Sequence, residues 1–321
     1  MHSFSEFLEI FETKFSVRHF PSEPATLYNS SQYILNLNGK RIRPVMCLMG
    51  NELVSEINSD TFHVATAIEL FHNFTLIHDD IMDRAPLRRG VETVHTKFGE
   101  PTALLAGDVM LVVAYDYLNK IKIDYLKKVI RLFNNTAKQV CEGQQLDMDF
   151  EKKENVSFSE YLNMIELKTS VSLAASLQVG ALLGGSGDGN QRHLYEFGKN
   201  LGIAFQVQDD YLDAFGDPEK FGKRTGGDIL ANKKTFLLIH AMEVATGAKY
   251  KELQYLLESN PPDKVDKILQ VYEDCNVGEW SKKLKDEYLQ KSLHHLEEIA
   301  VLSARKKPLR ELAEYLIQRE N

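Results

Sequence analysis

The chain reads as all-α, and three observations carry that reading. Its 321 residues include 43% apolar side chains, enough to bury a large core. No proline stands between Pro101 and Pro218, and the others fall at candidate helix ends or in loops, where a helical chain tolerates them. Strand signals are scarce, because the one Gly-rich stretch, residues 184–189, separates two helical patterns and reads as a loop.

Residues 61–77, 103–118, 162–183, 194–207 and 234–244 have helical length and spread apolar side chains around more than one face. That pattern predicts buried helices rather than surface ones. Residues 118–128 alternate apolar and basic side chains over a span that fits one helical turn plus a connection. Residues 281–319 read as a charged C-terminal helix engaged in packing and solvation. No low-complexity linker or shift in composition marks a boundary, so residues 1–321 are expected to form a single domain.

Charge and cysteine usage narrow the function. The net charge of −8 argues against a general nucleic-acid surface, and it leaves anion binding to local basic groups or to metal. Cys47, Cys141 and Cys275 are few and scattered, which suggests neither a disulfide framework nor a thiolate metal site and fits a reducing cytoplasm. Met1 to Phe15 carries acids among its apolar residues without a basic flank, so no signal peptide is expected, and no uninterrupted apolar run of membrane-spanning length stands out.

Two acidic repeats point to chemistry. Asp79-Asp80-Ile81-Met82-Asp83 and Asp209-Asp210-Tyr211-Leu212-Asp213 are both DDxxD. On a helix the first and last acids share a face while the second lies about 100° away. Like charges at that spacing repel, and both repeats follow apolar runs that draw them toward the interior. One such repeat is readily a solvated helix end. Two in apolar context call for a cation, and clustered carboxylate oxygens suit Mg²⁺ bridging to substrate phosphates.

Basic residues cluster beside the acids. Lys40, Arg41 and Arg43 sit between Gly39 and Pro44, in a loop or helix start that can aim them at one anion. Arg88-Arg89-Gly90 follows the first acidic motif, Lys168-Thr169 lies inside an apolar helix, and Lys223, Arg224 and Lys233 surround Gly226-Gly227-Asp228. A mixture of forked guanidinium groups and point-charge ammonium groups around acids and metal describes a diphosphate site. His72 reads alone as a core histidine, yet its place two turns before Asp79 on one helix face makes it a site candidate.

GKRIRP at 39–44, HNFTLIHDDIMD at 72–83, RRG at 88–90, GQQLD at 143–147, KT at 168–169, FQVQDDYLD at 205–213 and GGDILANKKT at 226–235 closely resemble the trans-isoprenyl diphosphate synthases. The resemblance runs in order through the chain to about residue 247. It implies an orthogonal helical bundle around a deep central cavity (the isoprenoid synthase fold), a homodimer and three Mg²⁺ ions. It also implies head-to-tail condensation of isopentenyl diphosphate with an allylic diphosphate: dimethylallyl, geranyl or farnesyl.

Carried over residue by residue, the resemblance gives Asp79, Asp83, Asp209, Asp213 and Asp228 the metals, with Asp80 and Asp210 in support. Arg88, Lys168 and Lys233 would hold the allylic diphosphate. Lys40, Arg43, His72 and Arg89 match the isopentenyl diphosphate positions, and Phe205 would lie against that substrate's hydrocarbon part. Thr169 and Gln206 match positions facing the reacting carbons, and Gln144 and Asp147 match polar groups of the cavity wall. Lys223 is carried over as a substrate-binding position, and the interval from Lys223 to Asp228, one residue longer than in the shortest family versions, leaves its exact duty open.

Physical reasoning supports such a reaction independently. Ionising an allylic C–O bond requires stabilised negative charge on the leaving diphosphate and a dry apolar path for the cation. No His or carboxylate is evidently placed to take the last proton, which leaves the released diphosphate as acceptor. Phe74 and Thr75 lie five and four residues before Asp79, about 6 to 7.5 Å deeper along the helix, where a growing tail must pass. One aromatic there resembles enzymes that stop at twenty carbons (geranylgeranyl), with fifteen (farnesyl) as the alternative. A class I terpene cyclase would carry Ser or Thr and Glu in its second motif, a squalene-type synthase would carry DxxED-like motifs, and a non-catalytic subunit would have lost acids or the arginine pair.

Overall fold

The computed structural model of the chain describes residues 1–216 and 226–318. The candidate Lys223 therefore lies outside the described residues, as do Arg224 and Arg319, the last residue of the expected 281–319 helix. The described residues fall into two compact units, one built from residues 1–135, 175–194 and 300–308, the other from the remainder.

In the first unit the elements are α1 (Phe4–Phe15), α2 (Ala25–Leu35), α3 (Ile42–Glu52), α4 (Ser59–Met82), a hairpin of β1 (Leu87–Arg88) and β2 (Val91–Glu92), α5 (Val94–Phe98) and α6 (Glu100–Leu118). α7 (Ile123–Lys152) begins there, and α9 (Val171–Leu183) ends there. α4 is the pivot. The side chain of Asn58 accepts from the Thr61 N–H to start it, and its apolar residues run round the helix, with Val64, Ala65, Ala67, Leu70 and Ile77 all buried. It packs against α3 and α6, as a helix apolar on several faces must. A glycine on each helix lets α3 and α9 approach closely: a Cβ on Gly180 would stand 1.9 Å from the Cys47 carbonyl oxygen, and one on Gly50 2.4 Å from that of Leu177. α6 has the length and apolar content of a membrane span, which the sequence reading did not anticipate, and it packs on α2, α4 and α5.

The second unit holds most of α7, α8 (Phe158–Ile165), a π-turn (Glu166–Ser170), α10 (Asp188–Phe215) from Tyr195 onward, α11 (Gly227–Leu230), α12 (Phe236–Val244), α13 (Gly247–Ser259), α14 (Lys264–Asp274), α15 (Val277–Glu297) and the greater part of α16 (Ser303–Gln318). Leu237, Leu238, Leu253, Leu256, Ile268 and Tyr272 join in its buried core. Ser157 and Glu160 cap α8 reciprocally, and Thr235 accepts from the Leu238 N–H to start α12.

Two expectations are corrected. Residues 162–183 are not one α-helix, because the π-turn widens the path between α8 and α9. Residues 281–319 are two helices: after α15 the chain leaves the helix, and the Ala300 N–H donates to Asn190 Oδ1 at 2.9 Å. The RRG motif lies in a small antiparallel hairpin, in which Leu87 opposes Glu92 and Arg88 opposes Val91.

Candidate active site

The first acidic motif closes α4. Asp79 lies within the last helical turn and Asp83 is the C-cap, so the two stay one turn apart on one face. Asp80 points elsewhere and is 1% exposed. Both of its oxygens accept from Arg88: Nε donates at 3.0 and 2.8 Å and Nη2 at 2.7 Å. The hairpin makes that possible. Arg89 and Gly90 both have positive φ (53° and 80°), as a two-residue type I′ turn requires, and the tight turn returns the chain with Arg88 in the strand.

Beside it lies a cationic cavity of about 600 Å³, lined by Lys40, Arg43, His72 and Arg89 among others. Arg43 Nη1 donates to His72 Nε2 at 3.2 Å, so the ring accepts there and carries its proton on Nδ1. Burial, then the guanidinium groups of Arg43 and Arg89, hold the His72 pKa well below the ordinary value. Burial also lowers Arg43 to about 10, against the attraction of Glu69. Arg89 reaches back to donate to the Leu37 carbonyl at 3.3 Å and lies along Gly39, where a Cβ would be 2.8 Å from its Nη1. Glycine at 39 leaves that space open.

The three cations of 40–43 do not all face one anion. Arg41 is 6% exposed, adopts a left-handed backbone (φ 44°) at the N-cap of α3, and turns inward. It donates to Glu69 at 2.6 Å, to Glu12 at 2.9 Å and to the Leu35 carbonyl at 2.7 Å. The sequence reading passed over Glu69, although a carboxylate inside a buried helix signals a partner.

Upstream on α4, the half-buried Phe74 ring meets His78 edge-on at 4.8 Å and Phe71 at 5.8 Å. Phe71 in turn packs on Phe133, and Phe133 on Tyr115. Thr75 donates its hydroxyl to the His72 carbonyl at 2.8 Å.

In the second unit α10 carries the whole second motif, and the same division recurs. Asp209 and Asp213 are half-buried, whereas Asp210 is 3% exposed. Asp210 accepts from Gln206 Nε2 at 2.9 Å, from the Tyr161 hydroxyl at 3.1 Å and from the Phe236 N–H at 3.3 Å. Burial and the nearby Asp228 nevertheless raise its pKa to about 7. Asp213 accepts from the Asp228 N–H at 2.9 Å and its carbonyl accepts from the Gly226 N–H, so the GGD segment is tied to the motif. The Lys233 N–H donates to the Asp228 carbonyl at 2.9 Å, and its ammonium lies 3.9 Å from that residue's carboxylate.

Lys168 and Thr169 occupy the π-turn, whose i→i+5 pattern is closed by the Val171 N–H on the Glu166 carbonyl. Two glycines admit it: a Cβ on Gly143 of α7 would stand 2.3 Å from the Lys168 nitrogen, and one on Gly202 of α10 would stand 2.8 Å from the Ser170 Cα. Lys168 Nζ donates to Asp147 at 2.5 Å. Thr169 and Phe205 are half-buried, and Gln144 is buried.

Among the described residues no three His, Cys, Asp or Glu side chains close on one point, so the acids do not form an all-protein cage. The donor set still fits Mg²⁺. It consists of hard carboxylate oxygens spaced one helical turn apart, and Mg²⁺ binds through one or two carboxylates with water and substrate phosphate completing its shell.

Residues 24–275 match the polyprenyl synthetase family. The chain is 38% identical over 304 residues to a geranylgeranyl diphosphate synthase of Methanosarcina mazei, covering 93% of this chain and 91% of that protein. It is 33% identical over 316 residues to a geranylfarnesyl diphosphate synthase of Natronomonas pharaonis, covering 92% and 91%. A crystal structure of a geranylgeranyl pyrophosphate synthase aligns with the whole of both chains at TM-score 0.94 and 41% identity.

Proposed function

Because the chain belongs to the polyprenyl synthetase family, we propose that it condenses isopentenyl diphosphate head to tail with dimethylallyl, geranyl and farnesyl diphosphate, stopping at the twenty-carbon geranylgeranyl diphosphate. It is a prenyltransferase of the short-chain elongating kind with the all-α isoprenoid synthase fold. The observation that carries the reading is the split within both motifs: Asp80 and Asp210 are locked inward, while Asp79 with Asp83 and Asp209 with Asp213 keep one helical face.

In this reading Asp79, Asp83, Asp209, Asp213 and Asp228 would hold three Mg²⁺ ions, with Asp80 and Asp210 in support. The metals would neutralise the leaving diphosphate. Arg88, Lys168 and Lys233 grip the same group, Arg88 pre-aimed by Asp80 and Lys168 by Asp147. Lys40, Arg43, His72 and Arg89 take isopentenyl diphosphate, and Phe205 lies against its hydrocarbon part. Neutral His72 donates through Nδ1. Thr169 and Gln206, with the π-turn carbonyls, steady the allylic cation by their dipoles. The double bond of isopentenyl diphosphate attacks that cation, forming the new C–C bond, and the released diphosphate takes the proton lost. Phe74 is the floor of the product tunnel, and Thr75 is the small neighbour that leaves room above it.

A homodimer fits α6, where Leu105 and Val112, two turns apart on one face, are 58% and 59% exposed. The three free cysteines fit a reducing cytoplasm. Asp79→Ala and Asp209→Ala should each lower turnover by orders of magnitude with helical content unchanged, since removing one crowded acid relieves repulsion. Near-normal turnover in either variant, or in wild type with metal chelated, contradicts the reading.

A further inference from the structure

The cationic cavity in the first unit contains one residue of the wrong sign. Glu69 is 2% exposed, lies three residues before His72 on α4, and lines the same cavity as Lys40, Arg43, His72 and Arg89. Burying a carboxylate costs folding free energy unless its surroundings repay it. Its Oε1 accepts from Arg41 at 2.6 Å and from Asn73 Nδ2 at 2.9 Å, while its Oε2 is buried with no hydrogen-bond partner among the described residues. The carboxylate is matched to its partners rather than to packing, because an apolar side chain would leave Arg41 Nη1 and Asn73 Nδ2 without the acceptor they use here.

What it touches indicates the purpose. Arg41 stands between Lys40 and Arg43 in sequence and holds a left-handed backbone that a side chain seldom adopts. Lys40, Arg41 and Arg43 all border the cavity, but Arg41 alone is buried at that turn and tied down from three sides, by Glu12, by the Leu35 carbonyl and by Glu69. Glu12 is the exposed member, with 38% of its side chain open to water, whereas Glu69 is buried and supplies the shortest contact. The buried carboxylate also opposes the crowding of positive charge around Arg43 and Arg89. We propose that Glu69 is a positioning residue for isopentenyl diphosphate, acting through Arg41 to fix the turn that presents Lys40 and Arg43, and offsetting their mutual repulsion before the substrate's own charge arrives.

The inference rests on the reading that Lys40 and Arg43 hold isopentenyl diphosphate, and the experiment separates the two. Steady-state KM for isopentenyl diphosphate and for the allylic substrate is measured with the full chain for Glu69→Gln, Lys40→Ala and Arg43→Ala. Glu69→Gln leaves Arg41 buried with less compensation and can unfold, so Glu69→Gln with Arg41→Gln, which removes both charges of the pair, is measured beside it. Both glutamate variants should raise KM for isopentenyl diphosphate about tenfold, leave KM for the allylic substrate within twofold, and change kcat less than that KM. A residue serving stability alone would lower the melting temperature without that asymmetry. If Lys40→Ala and Arg43→Ala raise KM for isopentenyl diphosphate but folded glutamate variants do not, or raise both KM values alike, the inference is overturned and the substrate assignment stands. If Lys40→Ala and Arg43→Ala themselves leave that KM unchanged, the assignment falls and the role of Glu69 falls with it.

Discussion

In Arg88→Ala the Asp80 carboxylate stays buried and loses its partner. Its side chain is 2% exposed and receives contacts of 2.7 to 3.0 Å from two guanidinium nitrogens, so little water stands ready to replace them. Removing one member of a buried pair costs about 3–5 kcal/mol. The Arg88 side chain is 26% exposed, so truncation lets water toward the vacated site and the lower end, about 3 kcal/mol, applies. Asp80→Asn removes the charge that needed compensation and should cost about 1 kcal/mol, the net worth of a hydrogen bond. In the double variant the two losses overlap, with a coupling of about 2 kcal/mol. Urea unfolding of the metal-free chain, followed by far-ultraviolet circular dichroism, measures all three. Additive losses, with Arg88→Ala below about 1 kcal/mol as for an exposed pair, would refute the picture of Asp80 as the buried anchor that aims Arg88.

Phe74→Ala should shift products to longer chains in chromatography, because the ring that meets His78 and Phe71 is removed from the tunnel floor; an unchanged distribution places the floor elsewhere. His72→Ala should raise KM for isopentenyl diphosphate and Lys168→Ala that for the allylic substrate, each by about tenfold to a hundredfold for one charged hydrogen bond worth about 1.5–3 kcal/mol. Equal effects on both substrates would dissolve the two-pocket division. Asp210 titrates near 7 when folded against 3.8 ordinarily, so its protonated form is favoured by folding. The stability it contributes is present at low pH and is lost as pH rises from about 4 through about 7. Metal-free Asp210→Asn should therefore melt higher than wild type at about pH 8 and lose that advantage by about pH 5; parallel pH profiles would contradict this.

The helical class was legible because apolar periodicity and the absence of proline between Pro101 and Pro218 are local signals. So was the division within each acid motif, since helical geometry alone separates Asp80 from Asp79 and Asp83. The partners were not legible. That Arg88 returns to Asp80 depends on the type I′ turn at Arg89 and Gly90, where an arginine takes a conformation more usual for asparagine or glycine. Arg41 was read with its neighbours as an anion ligand, because composition cannot say that a left-handed residue will send one of three cations inward to Glu69 and Glu12. The π-turn at Lys168 was hidden for a similar reason: it depends on Gly143 and Gly202, far away in sequence, leaving room for a widened helix. Tyr161 and the Phe236 N–H reach Asp210 by tertiary packing that no spacing announces.

The most direct measurement of the central claim is product identification. The purified chain is incubated with Mg²⁺, isopentenyl diphosphate and each of dimethylallyl, geranyl and farnesyl diphosphate, and the products are separated before and after phosphatase treatment. The account predicts linear all-trans prenyl diphosphates lengthened by five-carbon steps, converging on twenty carbons from every starter, and none when metal is chelated. A cyclic hydrocarbon, a head-to-head product, or unreacted starters with the metal present would contradict it.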